Sequence, residues 1–347
     1  MDFWHSKTYI EDLDRTLSHV MGCHELKNTK ILITGATGTI GSFVVDALIR
    51  YNQIENANIM IYVAGRDIEK LQNQFGTYTY VKCLIYDMNK KIEFDEQIDY
   101  IIHIAGNAHP AAFNENPVGT IRGNIESTFN LLEYLRKHRG KRLLYLSSGE
   151  VYGQGDMALD RFDESYSGYV DILSPRSCYP LSKRMTENLC ASYRKQYGID
   201  AVIVRPCHTY GPYMTSSDNR AHAQFFRNAI AKENIVMKSA GLQMRSYNYV
   251  GDCVSALFSV LLRGEAGEAY NLANPNSNLT IAELAQKIAR AEKCEVVFVE
   301  PNAVEIENRS PIQKQILGTK KIESLGWEPA FSIEEGIKHT LDIIKGI

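Results

Sequence analysis

Apolar residues along the chain follow two alternating rhythms. Lys30-Ile31-Leu32-Ile33-Thr34, Asp99-Tyr100-Ile101-Ile102-His103-Ile104, Arg142-Leu143-Leu144-Tyr145-Leu146 and Ala201-Val202-Ile203-Val204-Arg205-Pro206 are short, almost unbroken apolar runs, the pattern of strands buried on both faces. Residues 58–63 and 77–86, the latter rich in β-branched and aromatic side chains, read as two more strands. Between these runs, apolar positions at helical spacing predict helices over 42–50, 118–138 and 181–193. Strand then helix, repeated, predicts an α/β fold with a parallel sheet. Past Pro206 the elements shorten to helices over 224–231, 254–262 and 281–291, a strand over 244–250, and a last helix introduced by Leu325-Gly326-Trp327-Glu328-Pro329. Ahead of the first strand, Tyr9, Ile10, Leu13, Leu17 and Val20 predict an amphipathic helix over 8–20, docked on the body of the protein or on a second subunit. The 347 residues therefore divide into an N-terminal helical extension over 1–29, a sheet domain over 30–204 to which 226–262 returns, and a smaller C-terminal domain from 205–225 and 263–347.

The first strand runs into Gly35-Ala36-Thr37-Gly38-Thr39-Ile40-Gly41 and then a helix. Glycines at this spacing, between a strand and a helix, allow a tight turn, close approach of backbone to a diphosphate, and close packing of helix on strand. Gly35, Thr37, Gly38, Thr39, Ile40 and Gly41 are thus the candidate dinucleotide cradle of a doubly wound, Rossmann-type sheet. At the end of the second strand Arg66 precedes Asp67; an arginine there suits a 2′-phosphate and points toward NADP, leaving NAD open. Asp87 and Met88 follow the third strand as candidate adenine contacts, and Ala105 and Gly106 end the fourth where a backbone passes the cofactor. His103, within an apolar run, reads as a core histidine.

The fifth strand delivers Ser147-Ser148-Gly149-Glu150-Val151-Tyr152-Gly153 to the sheet edge where ligands sit in open α/β folds. Downstream, Tyr179 and Lys183 lie one helical turn apart, roughly 5–6 Å between Cβ atoms. A nearby ammonium favours the phenolate, so Tyr179 is expected to act as a base below its free pKa of about 10. The same spacing at Tyr78–Lys82 and Tyr86–Lys90 falls in or beside a strand, where side chains four residues apart stand about 13 Å from each other. Ser148, Glu150, Tyr179 and Lys183 are the candidate catalytic residues. The polar, glycine-rich stretch over 153–177 reads as a loop over the cleft.

Composition narrows the partners. A net charge of −3 gives no basic field for nucleic acid, and no apolar run approaches a membrane span. Seven cysteines occur singly, without a C-x-x-C pair, which implies neither a disulfide framework nor a metal site and suits a cytoplasmic protein.

Taken together, GATGTIG, SSGEVYG, YPLSK, RPCHTYGP, QMRSYNYVGD and LGWEP, in this order from Lys30 to the C-terminus, resemble the extended short-chain dehydrogenase/reductases of the nucleotide-sugar epimerase/dehydratase group. The resemblance implies a tightly held nicotinamide cofactor, NAD by family habit, and a smaller C-terminal domain that binds a nucleoside-diphosphate sugar. It implies oxidation of the sugar at carbon 4, with Tyr179 taking the hydroxyl proton, Ser148 positioning it, and Lys183 holding the cofactor ribose. Arg245 matches an arginine that contacts the diphosphate. His208 stands where the family has an asparagine near the substrate phosphates, and Ile316-Leu317 replace a Pro-Asp pair. In 4,6-dehydratases of the family the strand end resembles Thr-Asp-Glu, whose aspartic acid protonates the leaving hydroxyl; Gly149 cannot. Glu150 after a small residue, with Arg176-Ser177-Cys178-Tyr179, resembles the uronate decarboxylases. A UDP-glucuronate-decarboxylase-like enzyme is the first expectation, followed by a 4-epimerase, an NADPH-dependent keto-sugar reductase or a 4,6-dehydratase, with a cofactor-binding scaffold as the non-enzymatic alternative. The family also leads one to expect a homodimer.

Overall fold

In the computed structural model, which describes residues 2–90, 92, 94–106, 108, 110–215, 218–302, 310 and 312–346 (110–112 by backbone alone), the apolar runs pair as one parallel sheet. Strands β1 (Lys30–Thr34), β2 (Met60–Gly65), β3 (Val81–Ile85), β4 (Tyr100–His103), β5 (Arg142–Leu146) and β6 (Ala201–Pro206) are joined by a later strand, β10 (Ala269–Leu272), in the order β10-β6-β5-β4-β1-β2-β3. Ile31 pairs with Ile61 on one side and Tyr100 on the other. Alternate residues serve opposite faces, which is why the runs show no alternation. Ile31 and Ile33 join one core with Phe43, Leu13 and Leu257, while Leu32 joins a second with Leu131, Leu135 and Tyr193.

The first core is covered by α1 (Lys7–Ser18), α2 (Thr39–Glu55) and α8 (Val250–Arg263), the second by α5 (Pro117–His138) and α6 (Cys178–Tyr197). The order of strands reverses between β1 and β4, and the chain leaves these neighbours in opposite directions. A crevice opens at their carboxyl ends. A smaller sheet joins β7 (His208–Tyr210), β9 (Met244–Tyr249), β11 (Asn278–Thr280) and β13 (Lys314–Gln315), and β8 (Ile235–Met237) pairs with β12 (Val296–Phe298). Helices α7 (Ala221–Ile230), α9 (Ile281–Glu292) and α10 (Ile333–Lys345) pack around them.

Two expectations are corrected. The division at 263 does not follow the sheet, because β10 returns to its edge, pairing Ala269 with Ile203. Of 226–262, α8 packs on the large sheet whereas β8 and β9 belong to the small ones. The signal was hidden because Asn271, at the centre of β10, is buried and polar: it donates to the carbonyls of Phe162 and Gly318 and accepts from the Tyr152 hydroxyl at 2.5 Å. The strand expected over 77–86 is shorter, because a turn bonding Val81 N to Tyr78 O precedes it. The loop over 153–177 is tied down by bridges from Gln154 to Tyr169 and from Phe162 to Leu317.

The N-terminal helix docks on the body. Ser6 caps α1, and its inner face buries Tyr9, Asp12, Leu13, Thr16 and Leu17. Two carboxylates go under with it, and both are matched. The hydroxyls of Tyr9 and Tyr213 donate to Asp46 Oδ2 at 2.6 and 2.7 Å, and that of Tyr249 donates to Asp12 Oδ2 at 2.6 Å, with His339 on the other oxygen. Burial pushes Asp46 up to about 6 despite these donors. Among the described residues no helix is long and apolar enough to cross a membrane. Tyr9→Phe leaves Asp46 short of a donor in a buried site and is expected to cost about 1–3 kcal/mol, read as a lowered urea midpoint with unchanged slope.

Candidate active site

The crevice is shaped first by what is missing at three glycines. Gly35 follows β1 with φ +74, and a Cβ there would meet the backbone nitrogen of Ala105 at 2.8 Å. A Cβ on Gly41 would collide with the Gly35 carbonyl. Gly38 is the N-cap of α2 and offers no side chain to its first turn, so the N–H groups at that end stay available to an anion. Thr34 Oγ1 accepts from Ala105 N at 3.3 Å and meets His103 Nδ1 at 2.7 Å, fixing the two strand ends together. His103 Nε2 contacts Ser127 Oγ at 3.0 Å; burial and then the Lys183 charge push the ring down to about 3. It is a neutral core histidine, as the sequence suggested.

A cavity of about 340 Å³ opens here, walled by Gly35, Thr37, Gly38, Thr39, Ile40, Arg66, Met88, Ala105 and Gly106. The expected cradle residues come together apart from two. Gly41 lies behind the wall as a packing position. Asp87 is outside it, its carboxylate accepting from Asn89 N at 3.0 Å, a bond that holds it below the ordinary carboxylate range. Asp67 turns away to cap α3 (Ile68–Phe75), accepting from Lys70 N at 2.9 Å, which leaves Arg66 facing the cavity. Glycine-walled backbone, an uncapped helix start and a guanidinium at the ribose end fit a dinucleotide.

The candidate catalytic residues meet one layer away. Ser148 ends β5 and caps the 3-10 turn Gly149–Tyr152, its Oγ accepting from Glu150 N at 3.1 Å. Tyr179, on the first turn of α6, is buried, with the Ser148 side chain acting on its phenol. Lys183, one turn further, donates to the Leu146 carbonyl at 2.7 Å and lies over the rings of Tyr145 at 4.7 Å and Tyr179 at 5.7 Å.

The expected acidification of the phenol by the lysine is not found. Burial, and then the Glu150 charge, push Tyr179 up to about 12, against the Ser148 hydroxyl and the charges of Arg220 and Arg176. Burial pushes Lys183 down to about 7. The ammonium points at a carbonyl rather than at the phenol oxygen, so desolvation wins for both groups.

Sequence patterns missed Phe113 and Arg220. Phe113, on α4 (Pro110–Glu115), stacks on Tyr179 with ring centroids 4.5 Å apart, and the Arg176 guanidinium lies over the same ring, 4.9 Å from its centroid. A lone phenylalanine in a stretch without periodicity carried no signal. Arg176 also pairs with Glu150 at 3.4 Å. These three residues, with His208, Arg220 and Arg245, line a second cavity of about 740 Å³. Ala108 and Arg220 line both cavities, so the two adjoin. Ser148 and Tyr179 lie behind this wall, in contact with Glu150 and Phe113, whereas Lys183 Nζ stands 3.8 Å from where a Cβ on Gly106 would reach, at the smaller cavity. Arg245 is buried, donating to the carbonyls of Ile312 at 2.7 Å and Met244 at 2.9 Å.

A family model described as the NAD dependent epimerase/dehydratase family matches residues 31–273. The chain belongs to this family. Its epimerase/dehydratase relatives include UDP-glucuronic acid decarboxylase 6 of Arabidopsis thaliana, 34% identical over 310 residues that make up 89% of this chain and 87% of the other. UDP-glucuronic acid decarboxylase 1 of Danio rerio is 32% identical over 91% of this chain and 73% of its own. Among solved structures, an epimerase of Methanothermobacter thermautotrophicus superposes with a TM-score of 0.80 at 19% identity, covering 98% and 96% of the two chains. A dTDP-glucose 4,6-dehydratase from Bacillus anthracis in complex with NAD has a TM-score of 0.76 at 21% identity, covering 92% and 97%. These two share the fold. As a family member the protein uses NAD or NADP, and the residues of the cradle described above fit such a dinucleotide.

Gly35→Ala places a methyl group against Ala105 in a left-handed backbone position. It is expected to weaken NAD(H) binding by about tenfold or more while the far-ultraviolet circular dichroism spectrum stays native. Fluorescence titration with NADH checks this.

Proposed function

We propose that the protein oxidises a nucleoside-diphosphate uronate at carbon 4 and removes its carboxyl group, as a UDP-glucuronate decarboxylase does. The observation that carries the reading is the Glu150–Arg176 pair beside Tyr179, with glycine at 149. A Cβ on Gly149 would meet the Gln315 side chain at 3.3 Å, so Gln315 stands where a dehydratase's acid would project. Removal of a hydroxyl needs that acid. Removal of carbon dioxide from a β-keto acid does not, because the electron pair of the breaking bond flows into the neighbouring ketone.

In this reading Ser148 holds the carbon-4 hydroxyl and Tyr179 takes its proton. A nicotinamide held by the cradle around Gly35, Gly38 and Gly106 would supply the reversible hydride chemistry. The Arg176 fork suits a carboxylate, orienting the uronate while Phe113 keeps that side of Tyr179 dry. Glu150, which takes a proton from solvent as Arg176 turns to the uronate, donates it to the carbon that loses carbon dioxide. Arg245 and His208 lie along the same cavity for the diphosphate, and the part of the chain beyond β6 that forms the cavity's outer wall serves as the substrate-binding unit. Arg66 supports acceptance of NADP besides NAD. Seven free thiols support a cytoplasmic setting. Exposed Val118, Ile121 and Phe129 on α5 and Met185 on α6 support a homodimer through these helices.

Incubation with UDP-glucuronate is expected to yield a product lighter by carbon dioxide, without net consumption of cofactor, seen by mass spectrometry. A product of unchanged mass and altered stereochemistry would establish the epimerase instead. Tyr179→Phe is expected to lower turnover about 10²–10⁴-fold with the fold intact; near-normal turnover would remove Tyr179 from the mechanism.

A further inference from the structure

The wall of the larger cavity carries two imidazoles, each with one ring nitrogen left unmatched among the described residues. His208 stands at the start of β7, where the family resemblance places an asparagine, and His222 lies on the first turn of α7. Their rings meet edge-on with centroids 6.0 Å apart. His222 is only 3% exposed, yet among the described residues its Nε2 has no hydrogen-bond partner, and His208 Nδ1 has none either. Buried polar atoms are nearly always matched. His208 and His222 both line the cavity, so a ligand seated there, with a small turn of the rings, can complete the two unmatched nitrogens.

The surroundings say that this ligand is an anion. No side chain caps α7, and Arg220, Ala221 and His222 at that end all line the cavity, so the positive end of the helix opens onto it. Arg245 lines it too. In the protein's own field the two rings are neutral. Burial, then the charges of Arg245, His222 and Arg220, push His208 well below its ordinary range. Burial and then Arg220 push His222 down to about 3, against Asp218 and a bond to the Thr209 backbone.

We propose that His208 and His222 form a proton-accepting pair that contacts the diphosphate of the nucleotide sugar, so that substrate binding takes up protons. The inference rests on the nucleotide-sugar reading above and adds His222 and the proton coupling to it. A diphosphate brings two negative charges into a site whose neutral imidazoles are opposed by arginines, and those charges favour the imidazolium forms. The sign follows. The complex holds more protons than the free protein, so affinity rises as pH falls through the window between the free and bound titration positions of the rings. An asparagine at 208 has no such coupling.

Other charged groups face the pair from each neighbouring element. Arg245 and Tyr247 come from β9, Arg227 from α7, and Asp218 and Arg220 from the segment before it. Burial alone would raise Asp218, but Arg220 holds it down to about 2, so it is ionised throughout the neutral range. Glu150 and Arg176 line the same cavity.

Calorimetric titration of the full-length protein with UDP-glucose tests the proposal. Its diester diphosphate has no proton that titrates near neutral pH, and it lacks the uronate carboxylate. Measured in two buffers of different ionisation enthalpy between about pH 6 and 8, the wild type is expected to take up protons on binding and to bind several-fold more tightly at the acidic end. His208→Asn and His222→Val are each expected to reduce the uptake, and the double variant to abolish it and flatten the pH dependence. Binding by the wild type without proton uptake overturns the proposal whether or not the variants fold. Uptake unchanged in a folded double variant overturns it too. Failure of UDP-glucose to bind at any pH overturns the nucleotide-sugar reading itself, and the proton coupling with it.

Discussion

Two backbones pass each other with no side chain between them where Gly35 leaves β1 and Ala105 follows β4. This close passage occurs where the strand order reverses, and the crevice exists because the chain can turn there without a Cβ. Thr34 secures it by reaching both Ala105 N and His103, and His103 in turn reaches Ser127 on α5. The cradle and the α2 N-terminus keep their spacing through this contact, while the strand end that carries Ser148 is held by the pairing of β5 with β4 and β6.

Around the crevice, buried charge is managed by pairing. Arg205 meets Glu187 at 2.6 Å, Ser147 donates to the same glutamate, and Arg220 meets Asp218 at 2.5 Å. Among the described residues Arg245 has no such carboxylate in contact and is held by backbone carbonyls, so its positive charge remains available to the cavity. The balance explains why Tyr179 and Lys183 are both shifted away from their charged forms. Desolvation dominates each, and the groups that would favour charge are aimed elsewhere.

The N-terminal helix extends this logic to the periphery. Asp12 and Asp46 are buried only because tyrosines from α1, β9 and the turn after β7 donate to them. Tyr213 connects that region to the cradle, since Thr39 on the first turn of α2 donates to its carbonyl at 3.2 Å. An appended helix thereby braces both the large sheet and the small one.

Local pattern determined a good deal. The unbroken apolar runs specified the buried parallel strands, the glycine spacing specified the cradle, and Tyr179 and Lys183 one turn apart specified a shared helix face, because each of these depends on neighbours in the chain. What local pattern could not determine depends on residues far apart in sequence. Asn271 disguised β10, since its partners at Phe162 and Gly318 are distant. Phe113 and Arg220 belong to the site only because folding lays α4 and the start of α7 against it. The meeting of His208 with His222, and the aim of the Lys183 ammonium at a carbonyl instead of the phenol, were decided by packing alone: burial and orientation, which set the charge state of every group in the cavity, are properties of the assembled core and not of any segment of it.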